Sequence, residues 1–176
     1  MLDSGNSAQK VYPPIREEKH RRCLWDALKS GTIDMIASDH APHTAEEKAM
    51  NLWDAPAGLC TVETFVPLML NEVNRGAITV NDFVRIASES PAKIWGIYPR
   101  KGSLLPGADG DFTIVDMNKR QTIKTENLHS KNKTSPFDGI ETQGTPVATI
   151  VRGKFVMRDN CITGTKGFGD FISREP

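Results

Sequence analysis

From Ile33 to Thr44 the chain reads Ile-Asp-Met-Ile-Ala-Ser-Asp-His-Ala-Pro-His-Thr: a short apolar run that stops in an acid, two histidines and a proline. A run of this length, rich in β-branched and small residues, predicts a buried strand over 33–38. Pro42 cannot continue a hydrogen-bonded ladder, so the strand has to end near Ser38 and leave Asp39, His40 and His43 at its carboxyl end. In parallel α/β architectures the loops at that end converge on one mouth, where the chemistry is done. Asp39 is therefore the first candidate for a functional residue.

The segments around this run are helical in pattern. Leu24, Trp25 and Leu28 recur at helical spacing between Glu17 and Ser30, with acids early, Lys29 late and Gly31 as a stop. A second helix is predicted from Thr61, with Val62, Phe65, Val66, Met69, Leu70 and Val73 on one face and Gly76 closing it. A third is predicted over 80–88, N-capped by Thr79 or Asn81 and carrying Phe83, Val84, Ile86 and Ala87. Ser90-Pro91 opens a separate short helix over 92–95 that ends at Gly96. Helices stacked on the far side of a single strand make a poor globule and read as the outer layer of a barrel. Residues 1–12 are polar without a period and read as poorly ordered or as a loop cut out of something larger.

At Tyr98-Pro99 the composition shifts to short alternating runs at 112–115, 121–124, 147–152 and 154–157. Arg152-Gly153 is a hairpin signal and Asp159-Asn160 a second turn. The expected organisation is α/β: residues 1–97 form the barrel portion, and residues 98–176 form a small β module with its tail.

Composition narrows the function classes. The 22 basic and 22 acidic residues balance, and neither sign clusters, so no electrostatic footprint for nucleic acid is present. The apolar stretches are too short to span a membrane, and no charged-then-apolar leader opens the chain. Cys23, Cys60 and Cys161 are widely spaced and odd in number, which argues against a disulfide framework and against a cysteine zinc site. A cytoplasmic protein is the expectation.

Asp39 has two readings: a turn-capping acid, or a carboxylate that ligates a metal, takes a proton from water and returns it to a leaving nitrogen. The apolar run before it and the histidines after it favour the second. Zinc sites take three or four protein ligands, however, and the other histidines do not supply them. His20 lies on an amphipathic helix and His129 in a polar loop, and both are expected to be solvated. Glu46-Glu47-Lys48 reads as a solvated face and Asp109-Gly110-Asp111 as a turn. Gly164, Gly167 and Gly169 lack the helix that a phosphate loop requires. Cys60 lies near the expected mouth without a partner base.

The run Ser38-Asp39-His40-Ala41-Pro42-His43-Thr44 followed by Glu46-Glu47-Lys48 resembles the signature of dihydroorotases in the amidohydrolase superfamily. Tyr12-Pro13-Pro14-Ile15-Arg16, Val62-Glu63-Thr64 and Pro106-Gly107-Ala108-Asp109-Gly110-Asp111 are similar to further segments shared by dihydroorotases, hydantoinases and allantoinases. So are Ser135-Pro136-Phe137-Asp138-Gly139 and Arg152-Gly153-Lys154.

The resemblance implies a (β/α)8 barrel of the TIM type with a composite β-sandwich, of which this chain carries the C-terminal part. It implies that Asp39 is both metal ligand and proton shuttle, that His43 holds a substrate carboxylate, and that the backbone of Pro56, Ala57 and Gly58 contacts the substrate ring. His40 has no separate role in the pattern and supports the loop. The implied cofactor is zinc in a binuclear site whose other ligands are missing here. The implied substrate is a small cyclic amide, and the implied assembly a homo-oligomer. Thr61 departs from the pattern, standing where the family often has glycine. The expectation is a dihydroorotase fragment, inactive without its N-terminal half. The alternatives are a dihydropyrimidinase (hydantoinase) or allantoinase fragment, or a non-catalytic dihydroorotase-like partner subunit.

Overall fold

The computed structural model describes residues 7–173. Helix α1 (Glu18–Lys29) has Leu28 buried, and Gly31 follows it with φ 78°. The short helix α2 (Ala45–Lys48) opens on a capping box: the Thr44 hydroxyl accepts from the Glu47 N–H, and the Glu47 carboxylate accepts from the Thr44 N–H. Helix α3 is Val62–Asn74 and α4 is Val80–Val84, the latter with a second box between Thr79 and Asp82. The predicted break before Ser90 is absent. A π-helical segment, Arg85–Glu89, joins α4 directly to α5 (Ser90–Ile94).

The buried core is formed by Leu28, Leu70, Ile78, Phe83 and Ile86, with Trp25, Ile33, Ile36, Val66, Val115 and Met117 among the half-buried residues against it. On α3 the deepest positions are Thr64, Pro67 and Leu70, a face rotated from the one the apolar residues alone predict. Thr64 is tolerated there because its hydroxyl donates to the Thr61 carbonyl at 3.0 Å.

Segment 33–38 is the main correction. It forms no strand ladder, and none of its residues is fully buried: Ile33, Met35, Ile36 and Ser38 are half-buried, Asp34 and Ala37 exposed. A parallel strand is buried only when paired strands and helices cover both sides, and here its main-chain bonds go to helices. The Ile33 N–H donates to Ala27 O at 3.1 Å and the Ile36 N–H to Ile86 O at 3.1 Å, the second at the π-helical segment. Strand-like pairing begins only at His40, which forms an isolated parallel bridge with Leu59.

The β module is one antiparallel sheet of four strands in sequence order: β1 (Phe112–Thr122), β2 (Glu141–Val151), β3 (Lys154–Arg158) and β4 (Cys161–Ile162). The runs at 112–115 and 121–124 belong largely to one strand, interrupted by a register shift between Asp116 and Arg120. There Asp116 Oδ1 accepts from the Asn118 and Lys119 N–H groups at 2.9 and 3.1 Å, folding the extra residues out of the ladder. Both predicted turns are two-residue connections with left-handed pairs, Arg152-Gly153 (φ 47° and 73°) and Asp159-Asn160 (φ 47° and 62°). The Asp109–Asp111 turn is tied down by Lys101, which is paired with both acids, and by the Arg152 N–H on Asp111 Oδ1 at 2.7 Å.

The sheet joins the helices through α3. Asn74 donates to the Met117 and Gln143 carbonyls, and Gly144 (φ 100°) lies so close that a Cβ there would sit 2.7 Å from Leu70 Cβ. No described helix is long and apolar enough to cross a membrane.

Candidate active site

Asp39 adopts φ 48°, a left-handed conformation that Asp and Asn enter more readily than other non-glycine residues. Both of its neighbours are pinned to the head of α3. The Thr61 hydroxyl donates to the Ser38 carbonyl at 2.7 Å, and His40 Nδ1 accepts from the Thr61 and Val62 N–H groups at 3.0 and 3.2 Å. His40 is thus the cap of α3, because the Thr61 side chain at the N-cap position makes no capping bond of its own. Accepting at Nδ1 puts the proton of a neutral imidazole on Nε2. The carboxylate-bearing residue itself is exposed.

The turn then lies against the 56–58 loop. The Ala41 N–H donates to Leu59 O at 3.0 Å, and His43 Nε2 is 3.2 Å from Ala57 O, a hydrogen bond when that nitrogen carries the proton. His43 Nδ1 lies 3.5 Å from the Glu47 carboxylate. The Thr44 N–H holds that carboxyl below the usual range, with His43 adding to the effect. Gly58 has φ 147°, and a Cβ on it would meet Ala41 O at 2.4 Å, so only glycine allows this approach.

Sequence reasoning missed Lys48. It is buried, and its ammonium donates to the carbonyls of Lys10, Pro56 and Gly58 at 3.0, 3.0 and 3.1 Å. Burial pushes the amine below the usual lysine range, and the Lys10 charge adds to this. Glu46 is exposed as expected, Glu47 is half-buried, and Lys48 departs from the solvated reading because its acceptors are distant in sequence. His129 is exposed, as expected, but it is tied to α3: its N–H and ring Nδ1 both lie 2.9 Å from Glu63 Oε2, and the Ser130 N–H donates to Oε1 at 2.7 Å. His20 is exposed and Cys60 buried.

The structure thus brings together Asp39, His40, His43 and the Pro56-Ala57-Gly58 loop. Among the described residues no three His, Cys, Asp or Glu side chains gather as a metal cluster. One exposed carboxylate is not a zinc site, so a metal at Asp39 needs ligands from outside the described residues.

A family-wide comparison matches residues 11–156 to the amidohydrolase family. The chain belongs to that family. A dihydroorotase from Pyrococcus horikoshii is 45% identical over 166 residues, covering 94% of this chain and 38% of that protein. An L-hydantoinase from Paenarthrobacter aurescens is 39% identical over 169 residues, covering 94% of this chain and 37% of that one. Among solved structures, D-hydantoinase from Thermus sp. matches with a TM-score of 0.91 at 35% identity, over 97% of this chain and 38% of its own. L-Hydantoinase from Arthrobacter aurescens matches with a TM-score of 0.91 at 38% identity, over 94% and 38% of the two chains. This amidohydrolase chain therefore spans about 38% of the length of the relatives it matches, whose names divide between dihydroorotase and hydantoinase.

Proposed function

We propose that this chain is the C-terminal portion of a metal-dependent cyclic amidohydrolase, and that the complete enzyme is a dihydroorotase interconverting dihydroorotate and N-carbamoyl-aspartate. The observation that carries the reading is the seating of the Asp39–His43 turn against the 56–58 loop, with His43 on Ala57 O. In this reading residues 1–97 belong to a (β/α)8 barrel in which segment 33–38, unpaired in this chain, would pair as the last strand once the preceding strands are present, and residues 98–176 to a composite β-sandwich. The free cysteines suit the cytoplasm.

Asp39 receives the proton of the attacking water and returns it to the ring nitrogen as the amide bond opens. His43 holds a substrate carboxylate, and the backbone at Pro56, Ala57 and Gly58 lies along the substrate ring. Asp39 would be this chain's ligand to a metal, which we take to be zinc, and that metal would supply polarisation of the amide carbonyl and activation of water. Its remaining ligands lie outside this chain, so the isolated chain is inactive.

In the complete enzyme Asp39→Asn keeps the left-handed turn available but removes the proton acceptor. Turnover of dihydroorotate is expected to vanish while the fold persists. Retained activity takes the shuttle away from Asp39. Zinc added to the isolated 176-residue chain is expected to give no hydrolysis; enzyme-like rates there sink the fragment reading.

A second reading, a hydantoinase, is favoured by the likeness to both hydantoinase structures. Rates on dihydroorotate, hydantoin and allantoin with the complete enzyme separate the two. Stable capture of a separate hydrolase chain with no activity of the pair favours a non-catalytic partner subunit instead.

A further inference from the structure

Lys48 is the only charged side chain in the buried set of the described residues, 6% exposed. It is the last residue of α2, where the Thr44–Glu47 box fixes the helix start. Its ammonium has three donors and meets three acceptors, all main-chain carbonyls. Burying an ammonium costs several kcal/mol unless it is fully hydrogen-bonded, and an apolar side chain fills such a space at lower cost. The charge therefore has a use that packing does not supply.

That use lies in the direction of the peptide planes. Along Pro56, Ala57 and Gly58 the carbonyls alternate: the first and third turn to Lys48, and the second to His43. The Pro56–Ala57 peptide is trans, so its N–H is opposed to the carbonyl that Lys48 holds. The Ala57 N–H is thus aimed away from Lys48. The same ammonium anchors the loop to residue 10, whose carbonyl also accepts from the Gly58 N–H at 3.0 Å. A compact ammonium gathers three carbonyls at one point, which a planar guanidinium does not.

We propose that Lys48 is the positioning residue of the substrate loop, holding the peptide groups of 56–58 in the orientation that meets the ring of a cyclic amide substrate. This rests on the reading of that loop as substrate-binding. Lys48 touches the loop and not the reacting atoms, so its loss falls on KM more than on kcat.

The test uses the complete enzyme with dihydroorotate and hydantoin as substrates, metal content measured for each variant, and amide hydrogen exchange read at 56–59 and in α3. Lys48→Met is expected to raise KM about tenfold or more with kcat within about threefold, as a misplaced binding group does. Exchange at Ala57 and Gly58 is expected to accelerate while α3 stays protected. Lys48→Gln, which keeps two donors, is expected to fall between wild type and Met, and it carries the test should the Met variant not fold. Unchanged KM in both variants overturns the proposal. So does an exchange increase spread equally over α3, which marks a merely structural role. Gly58→Ala checks the underlying reading separately: if it displaces the loop and leaves KM unchanged, 56–58 does not bind substrate, whatever Lys48 does to its exchange.

Discussion

Asp39 occupies a backbone conformation that needs support, and the support comes from Thr61. The hydroxyl on Ser38 O and the N–H on His40 Nδ1 hold the turn from both sides. A glycine at position 61 would have no hydroxyl to give. Thr61→Val keeps the shape and the N–H but strands the Ser38 carbonyl, so a loss of about 1–3 kcal/mol is expected in denaturant melts. Stability within error of wild type means the hydroxyl is dispensable. Gly58→Ala is the complementary case. With Ala41 O at 2.4 Å from the new Cβ, the loop must move or the fold loses about 1–3 kcal/mol, read from the unfolding midpoint and a structure of the variant.

Elements whose signals lie within a few residues were readable in advance. Helices α1 and α3, the caps at Thr79 and Gly76, and both two-residue turns follow from local chemistry. Thr79→Ala removes the α4 box and is expected to cost about 1 kcal/mol, with α4 fraying first in amide exchange. Where the reading failed, a longer contact had decided. The π-helical segment erases the break before Ser90, and Ile86 within it receives the Ile36 N–H. The bulge at Asp116 made one strand look like two. Segment 33–38 has the composition of a strand, but pairing is a property of neighbours.

Across the whole molecule, α3 is the link between the helical layer and the sheet, and its Glu63 ties the loop at His129 and Ser130 to the site side. Burial pushes the Glu63 carboxyl up, but the His129 and Ser130 hydrogen bonds outweigh it and hold it below its ordinary value of 4.5. A carboxyl lowered in the fold adds stability above the unfolded value, and that stability fades as the pH falls through the folded value. Thermal stability is therefore expected to weaken as the pH drops below about 4.5, and Glu63→Gln to flatten that decline. An identical slope in the variant removes Glu63 from the acid response.

The capping boxes at Thr44 and Thr79 and the two hairpin turns were determined by the sequence alone, since each is made by groups a few positions apart. The tertiary structure decided the rest. Lys48 finds its carbonyls 8, 10 and 38 residues away, and Glu63 meets His129 across 66. A charged residue in a polar run reads as solvated until the chain brings acceptors to it. Only folding could reveal that the one buried charge in the described protein stands behind the candidate site.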